Sequence, residues 1–578
     1  MHRTCLPLSL LLAAGCSPTH PESLLLVTFD TTRADRLGAY GGAADTSPVF
    51  DALASKSVLF ETAFCPVPET LPSHVTLMTG LEPPEHGVRA NGMRLAPDVP
   101  TIAEALRARG YATAAVVASP VLDPRFGLER GFDLYDRVSG DGYTMRRAAE
   151  VSASATEWLR SLSPGRPFFL WVHFIDPHHP YDPPSPLAER FRGREYEGEI
   201  AHADEGLGAI LATLRAERRM ESTLVCVTAD HGESLGEHGA PWHGVFLYDA
   251  TVRIPLLISH PASLAPRRVR GPARLVDVAP TLLDLLGRPP LPGMSGRSLA
   301  ASLESDEIES PAPVYLETHY PEQLGCAPLR GLRTAEWKYV RAPRPELYEV
   351  VGDPGELRDR AAADPERVAR MDRVLAEVER KLAGKEGALG IDPDHASMLA
   401  GLGYFGGLAP PRSGAARDAK DVIGIVAAID RAITLENAGK GEEAKSHFEE
   451  VVGADPLGAG AAFAIASHLR IAGKRPAARS WAERAIARDS TFAPARVLLA
   501  ELAAAGGDLG TAENQLSEAV RLAPESVTAR IHLSRLLLAT DRRESAVDLL
   551  REGIAGGSAE ETLELRHLLE EIRGSTSR

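Results

Sequence analysis

The sequence predicts an α/β protein with a doubly wound sheet, followed by an all-α solenoid. Three observations carry that prediction. Apolar runs of strand length alternate with helical stretches from about Ser23 into the three hundreds. Three of those runs stop on an aspartate. After residue 417 the chain turns alanine-rich, with alanines recurring every 34 residues.

Composition sets the outer limits. At 578 residues the chain is several times the usual domain length, so two or more cores are expected. A 44% hydrophobic, 25% charged composition is that of a globular protein and excludes wholesale disorder. The net charge of -16 and the lack of any basic run argue against binding a phosphate backbone, so no nucleic acid partner is expected.

Taken in order, residues 1–16 read as an export signal: Met1-His2-Arg3, an apolar stretch from Leu6, then Ala13-Ala14-Gly15-Cys16. That stretch is too short to span a membrane. One reading is an ordinary signal peptide cut near Ala14. The favoured one follows from the small-small-Gly-Cys pattern, which resembles the bacterial lipobox and makes Cys16 the lipidated first residue of a membrane-anchored envelope protein. Cys65, Cys226 and Cys326 would then remain, enough for one disulfide at most.

The run Ser23 to Phe29 has the continuous apolar character of a buried parallel strand and stops on Asp30. Pro167 to Ile175 stops on Asp176, followed by Pro177-His178-His179-Pro180. Thr223 to Ala229 stops on Asp230, followed by His231-Gly232. A further strand, Ala112 to Ala118, follows a helix over Thr101 to Arg109 that Gly110 ends. Ligands of open α/β sheets sit outside the carboxyl ends of strands, so these carboxylates and imidazoles should meet at one edge. A single aspartate after a strand is ordinarily a cap or turn residue; three in register point to a metal site. Asp and His without Cys suit one or two divalent ions, Zn²⁺ or Mn²⁺ first, with Ca²⁺ or Mg²⁺ also compatible. His243, in Trp242-His243-Gly244, is an additional ligand candidate.

With Asp30-Thr-Thr-Arg-Ala-Asp35, Thr70-Leu-Pro-Ser-His74 through Thr79-Gly80, and Ala229-Asp-His-Gly-Glu-Ser-Leu-Gly-Glu-His-Gly239, the chain resembles the sulfatase-like branch of the alkaline phosphatase superfamily. The resemblance runs from Leu24 to about Leu357 and includes Asp176-Pro-His-His-Pro-Tyr181, Val276-Asp-Val-Ala-Pro-Thr-Leu-Leu283 and Trp337-Lys-Tyr-Val340. It implies that Thr70 stands at the nucleophile position. Sulfatases place there a Cys or Ser, within Cys/Ser-x-Pro-x-Arg, that matures to formylglycine. Threonine carries a methyl on its β-carbon and cannot become an aldehyde. Cys65 is no substitute, because Cys65-Pro-Val-Pro-Glu69 lacks the Pro and Arg at the required places. Thr31 replaces an aspartate of the usual pair, no Lys-x-His follows the strand at Val117, and His243 stands where a lysine would.

Thr70 with Asp30, Asp230 and His231 looks instead like the metal site of the threonine-nucleophile members: nucleotide pyrophosphatase/phosphodiesterases, phosphoethanolamine transferases and lipoteichoic acid synthases. A helix N-terminal role for Thr70, with Pro72 in the first turn, is the plain alternative. The strand-end carboxylates tip the balance, because a hydroxyl needs a metal to act as an alkoxide near neutrality. The expected arrangement has Asp30, Asp230, His231 and Thr70 around one ion, and Asp176, His178 or His179, and His243 holding a second ion or the leaving group. Asn91 and His178 are candidate contacts to the ester substrate, whose identity no motif reveals. Release to water or to an acceptor alcohol separates hydrolase from transferase.

The sulfatase-like catalytic domain is expected over 22–385 and a linker over 386–417, leaving 418–578 as a repeat domain. Ala444, Ala478, Ala512 and Ala546 recur at the period, followed four residues later by Phe448, Ala482, Leu516 and Leu550. Pro456, Ser490, Pro524 and Ser558 fall twelve after each alanine. That pattern resembles tetratricopeptide repeats, which imply a concave surface for a protein or peptide partner. The leading reading is an exported, metal-dependent phosphoester hydrolase or transferase. Its rivals are a sulfuric ester hydrolase working without formylglycine and a non-catalytic repeat scaffold.

Overall fold

The computed structural model describes residues 21–137, 145–324, 326–382 and 417–574, the last range apart from 438, 441, 445, 448–458, 472, 525 and 557–561. The expected export signal with Cys16, nearly all of the expected linker, and the repeat positions Phe448, Pro456 and Ser558 lie outside the described residues.

The strands in chain order are β1 (Ser23–Phe29), β2 (Val58–Phe64), β3 (Ala112–Val117), β4 (Leu134–Asp136), β5 (Phe168–Phe174), β6 (Thr223–Ala229), β7 (Arg253–Ile254), β8 (Leu256–Ser259) and β9 (Arg267–Arg274), then β10 (Val314–Thr318), β11 (Leu329–Arg333), β12 (Trp337–Arg341) and β13 (Glu346–Glu349). The first nine form one sheet in the order β4-β3-β5-β1-β6-β8-β2-β7, with β9 beside β2. Strand β1 lies inside it, parallel to β5 and β6, with Phe29 opposite both Phe174 and Ala229. That register brings the ends of all three strands to one edge. The parallel core is as expected, but the sheet is mixed: β8 pairs antiparallel with β6 and with β2. Between β6 and β8 lie only short helical turns and the two-residue β7, so no crossover helix returns the chain to a parallel course.

Burial on both faces explains the unbroken apolar strands. Leu24 and Leu26 enter one apolar cluster with Val75 and Leu77 of the helix Thr70–Thr79. Leu25, Val27 and Phe29 enter the other, with the helices Ala148–Ser161 and Glu195–Ala216. All five are fully buried, and each contributes roughly 1.5–3 kcal/mol of transfer free energy. The helix expected over Thr101 to Arg109 is Ile102–Arg107, with Thr101 as its cap, bonded reciprocally with Glu104. Cys65, Cys226 and Cys326 are all buried free thiols.

Strands β10 to β13 form a separate antiparallel sheet. The helix Pro365–Leu382 covers it, setting Met371 and Leu375 against Tyr315, Leu332, Tyr339 and Leu347.

The C-terminal region is helical. Helices begin at Ala459, Ala493 and Val527, and their successors at Arg475, Leu509 and Arg543, so both sets advance by 34 residues. Ala478, Ala512 and Ala546 are fully buried, where only a small side chain lets helices approach closely.

Candidate active site

Thr70 is the first residue of its helix, with Glu69 in the cap position. Its hydroxyl performs no capping. The Leu71 N–H donates instead to Asn91 Oδ1 at 2.8 Å, leaving Thr70 Oγ1 to face His231 Nε2 at 3.4 Å. The same Nε2 stands 3.6 Å from Asp30 Oδ1 and 3.6 Å from Asp230 Oδ2. Asp30, Asp230 and His231 are fully excluded from solvent.

Two carboxylates this close cannot share one environment. Burial alone raises Asp30, but the neighbouring His173 imidazole outweighs it and holds the carboxyl below its ordinary range. Burial and the repulsion of Asp30 push Asp230 upward. Burial, then His243, depresses His231 to about 3, so its imidazole is neutral and a lone pair is available on the ring. Both oxygens of Asp30 and Oδ2 of Asp230 are buried without a hydrogen-bond partner. A neutral imidazole between two such carboxylates fits a divalent cation, and Asp30, Asp230 and His231 offer ligand atoms within 4.8 Å of one another.

Thr31 has a structural use. Its φ of 52° is left-handed, a strained state for a β-branched residue. In that state its N–H reaches Asp230 Oδ1 at 3.2 Å and its hydroxyl donates to the Pro177 carbonyl at 2.7 Å.

The second expected ligand group is divided. Asp176 does not join the Thr70 cluster: its Oδ1 accepts from the Ala148 N–H at 3.0 Å and lies 2.7 Å from His202 Nδ1. The reason is local. Ala148 opens the helix Ala148–Ser161, whose first N–H groups need an acceptor, and the strand-end carboxylate supplies it. His243 is drawn in, its ring 4.4 Å from that of His231, with Glu233 Oε1 behind it at 3.0 Å from Nδ1. His178 stacks edge-on against His243 at 5.1 Å. His179 lies outward, next to Tyr181 and Trp242. Asn91 holds the helix start through Oδ1, while its Nδ2 is buried without a partner.

Sequence reasoning missed His74, His173 and Glu233. His173 Nε2 lies 3.3 Å from Asp30 Oδ2, and His74 Nδ1 lies 3.6 Å from Asp230 Oδ2. A signal was present: His173 is an imidazole inside an otherwise apolar strand, opposite Thr28, whose hydroxyl meets His74 Nε2 at 3.0 Å. Burial pushes Glu233 up to about 8.

Residues 22–288 match the sulfatase family model, and residues 236–385 match that of the N-sulphoglucosamine sulphohydrolase C-terminal region. The chain is 27% identical over 402 residues to a choline-sulfatase of Rhizobium meliloti (strain 1021), covering 54% of this chain and 77% of that protein. Over 273 residues it is 29% identical to arylsulfatase K of Danio rerio, covering 44% of this chain and 52% of that one, about half its length. The phosphonate monoester hydrolase of Agrobacterium radiobacter shares the fold at a TM-score of 0.56 and 22% identity, over 63% of this chain and 96% of its own. Residues 22–288 thus form a sulfatase-family domain on the alkaline phosphatase superfamily fold.

Proposed function

We propose that the protein is a metal-dependent ester hydrolase or transferase in which Thr70 is the nucleophile and phosphorus esters are the substrates. The observation that carries this reading is the placement of Thr70 Oγ1 3.4 Å from His231 Nε2, which is itself 3.6 Å from Asp30 and from Asp230. Asp30, Asp230 and His231 would hold a divalent ion, with Zn²⁺ or Mn²⁺ favoured by the imidazole; it would lower the cost of deprotonating a hydroxyl and neutralise ester oxygens. His74 and His173 would complete that ion's surroundings or hold another. Asn91, through its buried and unpartnered Nδ2, would donate to an anionic ester. His243, braced by Glu233, would meet the leaving group. Attack by Thr70 forms its Oγ1–P bond as the bond from phosphorus to the leaving oxygen breaks; water or an alcohol then takes the phosphoryl group from Thr70.

A sulfate ester is the second reading, favoured by the names of the choline-sulfatase and arylsulfatase K relatives. Turnover of matched aryl phosphate, phosphonate and sulfate esters decides between them. Sulfate turnover exceeding that of both phosphorus esters would reverse the preference.

The 34-residue advance of the C-terminal helices supports a tetratricopeptide array with a protein or peptide partner. The lipobox-like Ala13 to Cys16 supports export and a lipid anchor at Cys16. Cys16→Ser is expected to move the protein from the membrane fraction to a soluble one, and an unchanged distribution would refute the anchor.

A further inference from the structure

The helix Ile423–Asn437, at the start of the C-terminal region, packs onto the catalytic domain. Val422, Val426 and Ile429 are buried in the same apolar cluster as the catalytic core. Its approach is fixed by polar contacts: the Ala327 N–H donates to the Arg417 carbonyl at 2.8 Å, the Arg344 N–H to Asp418 Oδ2 at 2.9 Å, and Lys420 Nζ to Glu346 Oε1 at 2.6 Å. A β-carbon on Gly239, in the turn that follows the Asp230-His231 loop, would lie 3.7 Å from Ile423 Cγ2.

This docking carries Asp430 to the edge of the candidate active site. Its Oδ1 lies 3.8 Å from His179 Nε2. The His179 ring stands edge-on to Tyr181 at 5.5 Å and 6.4 Å from the Trp242 ring. Inward from His179, the adjacent His178 meets His243, and His243 meets His231 beside Thr70. Asp430 therefore sits at the outer end of a line of rings that leads to the hydroxyl. Arg431, next in sequence, is exposed. Burial raises the Asp430 carboxyl to about 6, so at about pH 8 it is ionised.

We infer that Asp430 is a specificity-determining residue, and that the helical region completes the pocket with an acidic, aromatic rim selecting esters whose leaving alcohol bears an amine or quaternary ammonium group. This rests on the catalytic reading proposed above. With the anionic ester held at Thr70, the leaving group extends past His243 and His178 toward the rim. A cation there gains from the Asp430 carboxylate and from the Tyr181 and Trp242 faces, whereas a carboxylate-bearing leaving group is repelled.

The test uses the full chain and three aryl esters that differ only in a para trimethylammonium, tert-butyl or carboxylate group. The wild type is expected to prefer the cationic ester over its neutral isostere, and Asp430→Asn to lower that kcat/KM ratio roughly three- to tenfold, mainly through KM. A ratio unchanged in Asp430→Asn overturns the inference, as does a wild-type preference for the neutral ester. Calorimetric binding of the free trimethylammonium phenol needs no turnover. Tighter binding than the tert-butyl phenol, lost in Asp430→Asn, supports the rim, and equal binding overturns it. Loss of turnover in Thr70→Ala reports on the nucleophile alone, so the two ideas fail separately.

Discussion

Asp30 and Asp230 end two neighbouring parallel strands, and the same nitrogen of His231 stands 3.6 Å from each. Three carboxylate oxygens of this pair are buried without a hydrogen-bond partner, an arrangement that is unfavourable without a cation. The pair should therefore respond in opposite ways with and without metal. Asp230→Asn removes a repelling charge and is expected to raise the stability of the metal-free protein by about 1–3 kcal/mol. It should also abolish the metal-dependent gain in melting temperature seen in the wild type. Denaturation of both proteins with and without chelator checks this; destabilisation of the metal-free form would contradict it.

Chelation alone is expected to abolish ester turnover and lower the melting temperature by several degrees, with Zn²⁺ or Mn²⁺ restoring both. Full activity in chelator, with metal analysis showing none bound, would remove the ion from the account.

Asp176 should behave as a structural residue. Its Oδ1 takes the Ala148 N–H and sits beside His202, so Asp176→Ala is expected to cost about 1–3 kcal/mol of stability. Metal bound at Asp30, Asp230 and His231 should be unchanged. A fall in that metal content in the folded variant would return Asp176 to the metal site.

Much of this was legible in the sequence because the strands are buried on both faces. Ser23–Phe29 and Thr223–Ala229 have the bounds their apolar runs predict, and a strand-end aspartate marks each exit. What was not legible depends on neighbours. A carboxylate after a strand can face the pocket, as Asp30 does, or cap the helix Ala148–Ser161, as Asp176 does, and only the packing of that helix decides. His74 and His173 lie within a helix and a strand that read as core, and their convergence depends on the register of β5 against β1. Asp430 is 199 residues from His231, and no local pattern announces its contact with His179.

Glu317 offers a pH test away from the site. Burial would raise it, but Arg89, whose Nε donates at 2.8 Å, and Arg330 hold it down to about 2 from the ordinary 4.5. Because the folded value is depressed, its stabilising contribution is complete above about 4.5 and is lost as pH falls toward 2. Arg89→Met leaves the carboxylate less paired and is expected to cost about 3 kcal/mol near neutrality, with a weaker decline in stability on acidification. Denaturant titrations between about pH 7 and pH 3 measure both effects, and parallel acid limbs for the two proteins would refute the pairing.

The most direct test of the central claim is the intact mass of the protein, and of its Thr70 peptide, after rapid quenching with an activated aryl phosphate or sulfate ester. One phosphoryl or sulfuryl group on Thr70 is predicted, absent in Thr70→Ala, with turnover reduced at least about a thousandfold in that variant. Turnover that persists in Thr70→Ala, or a transferred group on another residue, would contradict it.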